Sequence, residues 1–240
     1  MGQSIAAFDI DGTLMRSPVL VETLQAMVGS GLFPAEAWTS IEDSYFDWQR
    51  RSGSFDDFIL GAVDQYVTHM TGVNQQDHDR VVAQVLEEGW EHTHSYTRRL
   101  ARVLKASHFL VAISQAPQHI IGPLAQRHGF DMAVGSYYEV RNGHYTGVAS
   151  YGWEKSKGQK VIDIAAEREL SLRDSFGVGD TETDADFLAE VEHPIAFNPN
   201  YQLHKIANAQ GWPIIIERKD MIYSLTVRED GQRHVATTTT

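Results

Sequence analysis

Ile5-Ala6-Ala7-Phe8-Asp9-Ile10-Asp11-Gly12-Thr13-Leu14 is the stretch on which the reading of this chain turns. Four apolar residues in a row, without polar alternation, describe a short strand buried on both faces. Two carboxylates, Asp9 and Asp11, follow at once, and an Asp-Gly step then opens a turn. In an open parallel sheet the chain leaves the carboxyl end of a strand into the ligand crevice. Two anions set there are costly unless a cation lies between them, and a hard divalent ion with oxygen ligands meets that need. A capped turn is the plainer account of Asp-x-Asp-Gly alone. The strand before it and Thr13-Leu14 after it favour a site.

Working outward, four more apolar runs of the same kind occur at 109–113, 175–178, 195–197 and 214–216. Helical patterns separate most of them, at 96–106, 117–128, 157–170 and 201–209. Strands alternating with helices predict an α/β fold with a parallel sheet and right-handed crossovers. The gap between the first two strands is too long for one crossover and is helical throughout. Its apolar stripes are Leu20, Val21, Leu24, Met27 and Val28; Trp38, Ile41, Tyr45 and Trp48; Phe55, Phe58, Ile59, Ala62, Tyr66 and Val67; and Val81, Val82, Val85 and Leu86. Gly31, Gly53 and Gly72 break them. Residues 17–95 thus read as an insert of roughly four helices, the first capped by Ser17 with Pro18 in its first turn. Asn142-Gly143 predicts a hairpin between 137–140 and 145–148. A second hairpin is expected between 222–227 and 234–237, around Glu229-Asp230-Gly231, with a frayed threonine end at 237–240.

The chain has 240 residues, 42% hydrophobic and 22% charged, as befits a soluble globular protein. Its net charge of −12 repels nucleic acid and anionic membrane surfaces, so an anionic ligand needs a few placed cations. With no cysteine, disulfides and thiolate metal sites are excluded. The sequence shows neither a secretory leader nor a run of apolar residues long enough to span a membrane, and Ala6 stands where a myristoylation signal wants Ser or Thr. The expected setting is the cytoplasm, with no membrane or nucleic-acid partner.

Three further features fall at strand ends or helix starts. Ser114 ends the run at 109–113 just before a helix, where a hydroxyl and free N–H groups suit a phosphate and equally suit an N-cap. Lys155, Lys157 and Lys160 cluster before another helix, and spacing alone does not choose among them. Gly179-Asp180 ends a third strand, with Asp184 one helical turn on. Such positions share one crevice.

These residues resemble the haloacid dehalogenase superfamily, and within it the phosphoserine-phosphatase-like branch. Asp9-Ile10-Asp11-Gly12-Thr13 resembles its first motif, Ser114 its second, Lys157-Gly158 its third, and Gly179-Asp180 with Asp184 its fourth. The Asn142-Gly143 hairpin and Ala196-Phe197-Asn198-Pro199 are also similar to that branch. The resemblance implies a Rossmann-like three-layer sandwich with a central parallel sheet. It divides the chain into a discontinuous core, 1–16 and 96–240, and a helical cap, 17–95. It further implies a Mg²⁺-dependent phosphatase acting on a small phosphorylated metabolite. Asp9 would be nucleophile and Asp11 acid then base. Ser114 and Lys157 would hold the phosphoryl oxygens. Asp9, the main-chain carbonyl of Asp11, and Asp180 would bind Mg²⁺, with Asp184 in support. Transfer to an alcohol shares the first half-reaction, and a silent binding module shares the fold. Pro18 stands where phosphoserine phosphatases carry a substrate-binding Glu, and Glu22 lies one turn on.

Among the remaining residues, His92 and His94 are two apart and do not share a helix face. The aromatics Trp38, Tyr45, Trp48, Phe55 and Phe58 read as core. Arg50 and Arg51 read as a solvated helix end, and Glu182 and Asp186 as lying off the face of the site.

Overall fold

A computed structural model describes residues 2–227 and 233–239, apart from the side chains of Asp56 and Arg233. The expected turn at Glu229-Asp230-Gly231 lies outside the described residues. The first strand, β1 (Ser4–Phe8), pairs in parallel with both β2 (His108–Pro117) and β5 (Ser171–Gly179). Beyond β2 lie β3 (Met132–Arg141) and β4 (His144–Ser150), and beyond β5 lie β6 (His193–Phe197), β7 (Ile214–Arg218), β8 (Met221–Val227) and β9 (Arg233–Thr239). The nine strands run β4-β3-β2-β1-β5-β6-β7-β8-β9. The six inner strands are parallel, and antiparallel hairpins extend both sides.

After β1 the chain builds β2 and β3 on one side, then returns to place β5 on the other. The carboxyl end of β1 is therefore a switch point in strand order, where open α/β sheets take their ligands.

The residues of β1 alternate between two cores. Ala6 and Phe8 pack with Ala101 and Leu104 of α6 (Ser95–Leu104) and Ile120 and Leu124 of α7 (Gln118–Arg127). Ile5 and Ala7 pack with Val161 and Ile164 of α8 (Lys157–Glu167) and Leu203 and Ala207 of α10 (Tyr201–Gln210). Helices thus cover both faces, giving the α/β fold that the sequence pattern predicts and the three-layer sandwich that the resemblance implies.

Between β1 and α6 lie five helices: α1 (Val19–Gly29), α2 (Glu36–Thr39), α3 (Glu42–Gln49), α4 (Phe55–Met70) and α5 (Gln75–Gly89). The second apolar stripe spans two short helices, with buried Ile41 at their junction. The cap of α1 also differs from expectation. The helix starts at Val19, and its N–H donates to Asp11 Oδ1 at 2.8 Å, while Ser17 turns its hydroxyl to Glu22. A carboxylate is the stronger acceptor at the positive end of a helix. Two further expectations are corrected. Met132–Ser136 forms the parallel half of a longer β3, and Thr237, Thr238 and Thr239 pair with Tyr223, Ile222 and Met221 instead of fraying. Threonine is β-branched and suits an edge strand. Among the described residues no helix is long and apolar enough to cross a membrane.

The β3–β4 hairpin reaches over to the insert. Gly72 N–H donates to the Tyr145 carbonyl, Tyr145 N–H to Val73, and Gln75 N–H to Gly143. Beneath these bonds the Tyr66 hydroxyl of α4 lies 2.5 Å from His78 Nε2 of α5 and 3.0 Å from His119 Nε2 of α7. Tyr138 and Tyr145 close the cluster with ring contacts.

Candidate active site

Asp9 follows β1 directly, and its N–H donates to the Val178 carbonyl of β5, fixing its main chain between strands. Gly12 then turns the chain at a φ of +84°, a left-handed conformation that favours glycine. A Cβ there would lie 2.1 Å from Asp180 Oδ2. The turn brings Thr13 back, so that its hydroxyl donates to Asp180 Oδ1 at 3.1 Å. Asp11 is gripped from two sides, by the Val19 N–H on Oδ1 and by the Ser114 hydroxyl on Oδ2 at 3.1 Å. Ser114 also accepts from the Ala116 N–H at 3.0 Å. The strand runs on past it to Pro117, so Ser114 is not a helix cap.

Lys157 opens α8, capped by Ser156, whose hydroxyl accepts from Gln159 N–H. Gly158 lets this end approach α9 (Ala185–Leu188), for a Cβ there would meet the Asp186 carbonyl oxygen at 2.8 Å. The Gly158 N–H donates to Asp186 Oδ2. So placed, Lys157 is 4% exposed and its ammonium bridges Asp9 Oδ1 at 2.8 Å and Asp184 Oδ1 at 2.6 Å. Asp184 Oδ2 accepts from the N–H groups of Asp180 and Thr181.

Asp9, Asp180 and Asp184 each present a carboxylate oxygen within 4.8 Å of the others. One lysine faces these three acids. Burial, then the charge of Asp184, pushes Asp9 up to about 7 against the pull of Lys157. Burial and the Asp9 charge hold Asp180 well above the carboxylate range. Asp11 is raised chiefly by burial. Burial alone would lower Lys157, but Asp184 and Asp9 outweigh it and the net direction is up. Asp9 Oδ2 and Asp180 Oδ2 accept no hydrogen bond among the described residues. The donor set is all oxygen and short of positive charge, and it fits a hard divalent cation.

Asp9, Asp11, Ser114, Lys157 and Asp180 line a single pocket of about 380 Å³, with Asp184 immediately behind Lys157. Lys155 and Lys160 border a separate surface groove. Pro18 lines the pocket and Glu22 does not. Glu182, expected off the face, also lines it, and Asn200 Nδ2 donates to its Oε2. Asp186 instead serves the α8–α9 contact. Trp38, Tyr45 and Phe58 pack in the aromatic core, whereas Trp48 and Phe55 also border the pocket. Arg50 and Arg51 are exposed and outside it. His94 Nδ1 lies 3.5 Å from Glu217 while His92 is exposed, so the two histidines serve no common site. Sequence reasoning placed Thr13 in the first motif without a role of its own, and it missed Arg16, Leu60 and Val63. For the last two the signal was present, because the apolar positions of α4 cover more of the helix than one buried face needs.

A family model described as haloacid dehalogenase-like hydrolase matches residues 6–189. A probable phosphatase of Mycobacterium tuberculosis is 26% identical over 232 residues, covering 89% of this chain and 75% of its own. A histidinol-phosphatase of Neisseria meningitidis serogroup C is 25% identical over 226 residues, covering 89% and 98%. Among solved structures, a Bordetella pertussis protein of unknown function has a TM-score of 0.71 at 21% identity, covering 90% of this chain and 99% of that one. A phosphoserine phosphatase holding an analogue of its phospho-aspartyl intermediate has a TM-score of 0.60 at 18% identity, covering 92% and 96%. These two establish likeness of fold alone. The family match over most of the chain, together with phosphatase-named relatives that cover nearly all of it, makes the protein a member of the haloacid dehalogenase-like hydrolases, and a phosphatase among them.

Proposed function

We propose that the protein is a Mg²⁺-dependent phosphomonoesterase that acts on a small phosphorylated metabolite through a phospho-aspartate at Asp9. In this reading residues 1–16 and 96–240 form the catalytic core and residues 17–95 its cap. The supporting observation is the Lys157 ammonium held between Asp9 and Asp184 in a pocket that Asp11 and Ser114 also line.

An Asp9 carboxylate oxygen attacks phosphorus, and the bond from phosphorus to the ester oxygen breaks. Asp11 gives its proton to the departing alkoxide, and its raised pKa suits it to hold that proton beforehand. Asp11, now a carboxylate, takes a proton from water as the water oxygen attacks phosphorus. The bond to Asp9 breaks, and inorganic phosphate leaves with the enzyme restored. Ser114 and Lys157 hold the phosphoryl oxygens during both steps. Asp9, the Asp11 carbonyl and Asp180 would bind Mg²⁺, whose charge would neutralise the transferring group. Asp184 supports them by holding Lys157 and the 180–181 main chain.

The test is phosphate release from a broad panel of phosphorylated metabolites, with and without Mg²⁺, for the wild type and Asp9→Asn. Release that needs the metal and vanishes in the variant is expected. Release that survives in Asp9→Asn would remove the phospho-aspartate from the mechanism.

A further inference from the structure

Building on this phosphomonoesterase reading, we infer that the alcohol part of the substrate is apolar, an alkyl or aryl group larger than a serine side chain. The pocket has two unlike ends. The carboxylates, Ser114 and Lys157 occupy one. The other is roofed by Leu20 of α1, Trp48 of α3, and Phe55, Ile59, Leu60 and Val63 of α4. Leu60 is 65% exposed and Val63 38%, so this roof is left uncovered by the protein's own packing.

An amino-acid head group needs a free cation for its carboxylate and a free anion for its ammonium. Arg16 and Glu182, the charged residues at this rim outside the catalytic cluster, each already have a partner with which a head group would have to compete. Arg16 pairs with Glu217 at 3.3 Å, and Glu182 Oε2 accepts from Asn200 Nδ2 at 2.5 Å. Pro18, also in the lining, offers no side-chain donor or acceptor. Among the described residues the roof adds only apolar contact, and an apolar leaving group lying along α4 leaves none of its polar atoms unpaired. The space also matches, since about 380 Å³ lies at the small end of known ligand pockets. The reaction consumes one water and yields an apolar alcohol and inorganic phosphate.

Hydrolysis of ethyl, butyl, hexyl and phenyl phosphate, compared with O-phosphoserine, tests this. Phosphate release by the full chain is followed with Mg²⁺ present and with Asp9→Asn as the blank. With half to full burial of each group, kcat/KM is expected to rise about two- to fourfold per added methylene, and phosphoserine to lie below butyl phosphate. Leu60→Ser, at an exposed position that the fold does not depend on, is expected to lower kcat/KM on hexyl phosphate more than on ethyl phosphate. Phosphoserine preferred over every alkyl ester, or a flat chain-length series, would overturn the inference and leave the phosphomonoesterase reading standing. No release from any of these esters would overturn the inference, and only silence on the broad panel as well would remove the phosphomonoesterase reading. If Leu60→Ser shifts the elution volume on size exclusion and leaves the chain-length series unchanged, the α4 face joins copies of the chain and the inference falls.

Discussion

Lys157→Met isolates the charge balance on which the site depends. Methionine keeps an unbranched stem against the Phe187 ring, over which the ammonium now lies at 5.9 Å, and removes only the charge and its hydrogen bonds. Asp184 retains the N–H donors of Asp180 and Thr181, whereas Asp9 loses the side-chain partner that pulls it down. In the wild type Asp9 is raised from 3.8 to about 7. A carboxyl whose folded-state pKa is raised contributes stability below its unfolded value, and that contribution is lost as pH rises through the folded value. The wild-type loss, about 4 kcal/mol, is therefore complete near pH 7. In the variant Asp9 rises further, so the loss continues above pH 7 at about 1.4 kcal/mol per pH unit. The two proteins should differ by a roughly constant amount up to about pH 6, below which Asp9 is protonated in both. The gap should then widen by up to ~3 kcal/mol by pH 9. Guanidinium unfolding at pH 6, 7.5 and 9 in EDTA measures it, and added Mg²⁺ should narrow the gap at pH 9. A difference independent of pH, or largest at pH 6, would refute the argument that Lys157 offsets the Asp9 charge.

Three other substitutions probe separate parts of the site and its support. Gly12→Ala drives a methyl into Asp180 at a left-handed φ, so turnover should fall more than about a hundredfold and calorimetry should show weakened divalent binding. Asp11→Asn removes the proton donor and acceptor, and kcat should drop about 10²–10⁴-fold. An amide oxygen can still cap Val19, so circular dichroism should be unchanged. Tyr66→Phe deletes the hydroxyl shared by His78 and His119 and should cost about 1–3 kcal/mol in denaturant unfolding, because buried His78 and half-buried His119 both lose a partner.

The site was largely legible because most of its chemical residues follow or close an apolar run or start the following helix, where sequence pattern and geometry coincide. Asp9, Asp11, Ser114 and Asp180 stand directly after or at the end of apolar runs, and the sheet then brings them together. Lys157 could not be told from Lys155 or Lys160 by spacing, since the choice rests on Gly158 allowing close approach to α9. The insert was legible as helix but not in detail. Trp38, Ile41, Tyr45 and Trp48 keep one helical phase across the junction of α2 and α3, so periodicity does not register the break. The first half of β5 escaped notice because Arg173 and Asp174 are exposed and polar. Thr237 to Thr239 looked frayed by composition, yet β-branching and the neighbouring β8 hold them in a strand.

The grip of the β3–β4 hairpin on the chain just after α4 makes that helix a lever with a fixed fulcrum. Its sixteen residues span about 24 Å, from the held end near Met70 to Phe55 at the pocket. A rigid tilt of about 5° around the fulcrum sweeps Phe55 through ~2 Å, while Tyr66, near the pivot, moves only about a quarter as far. The mouth of the pocket is thus the part of α4 that such a tilt displaces furthest, and the histidine–tyrosine cluster is where a small change in packing has the longest reach.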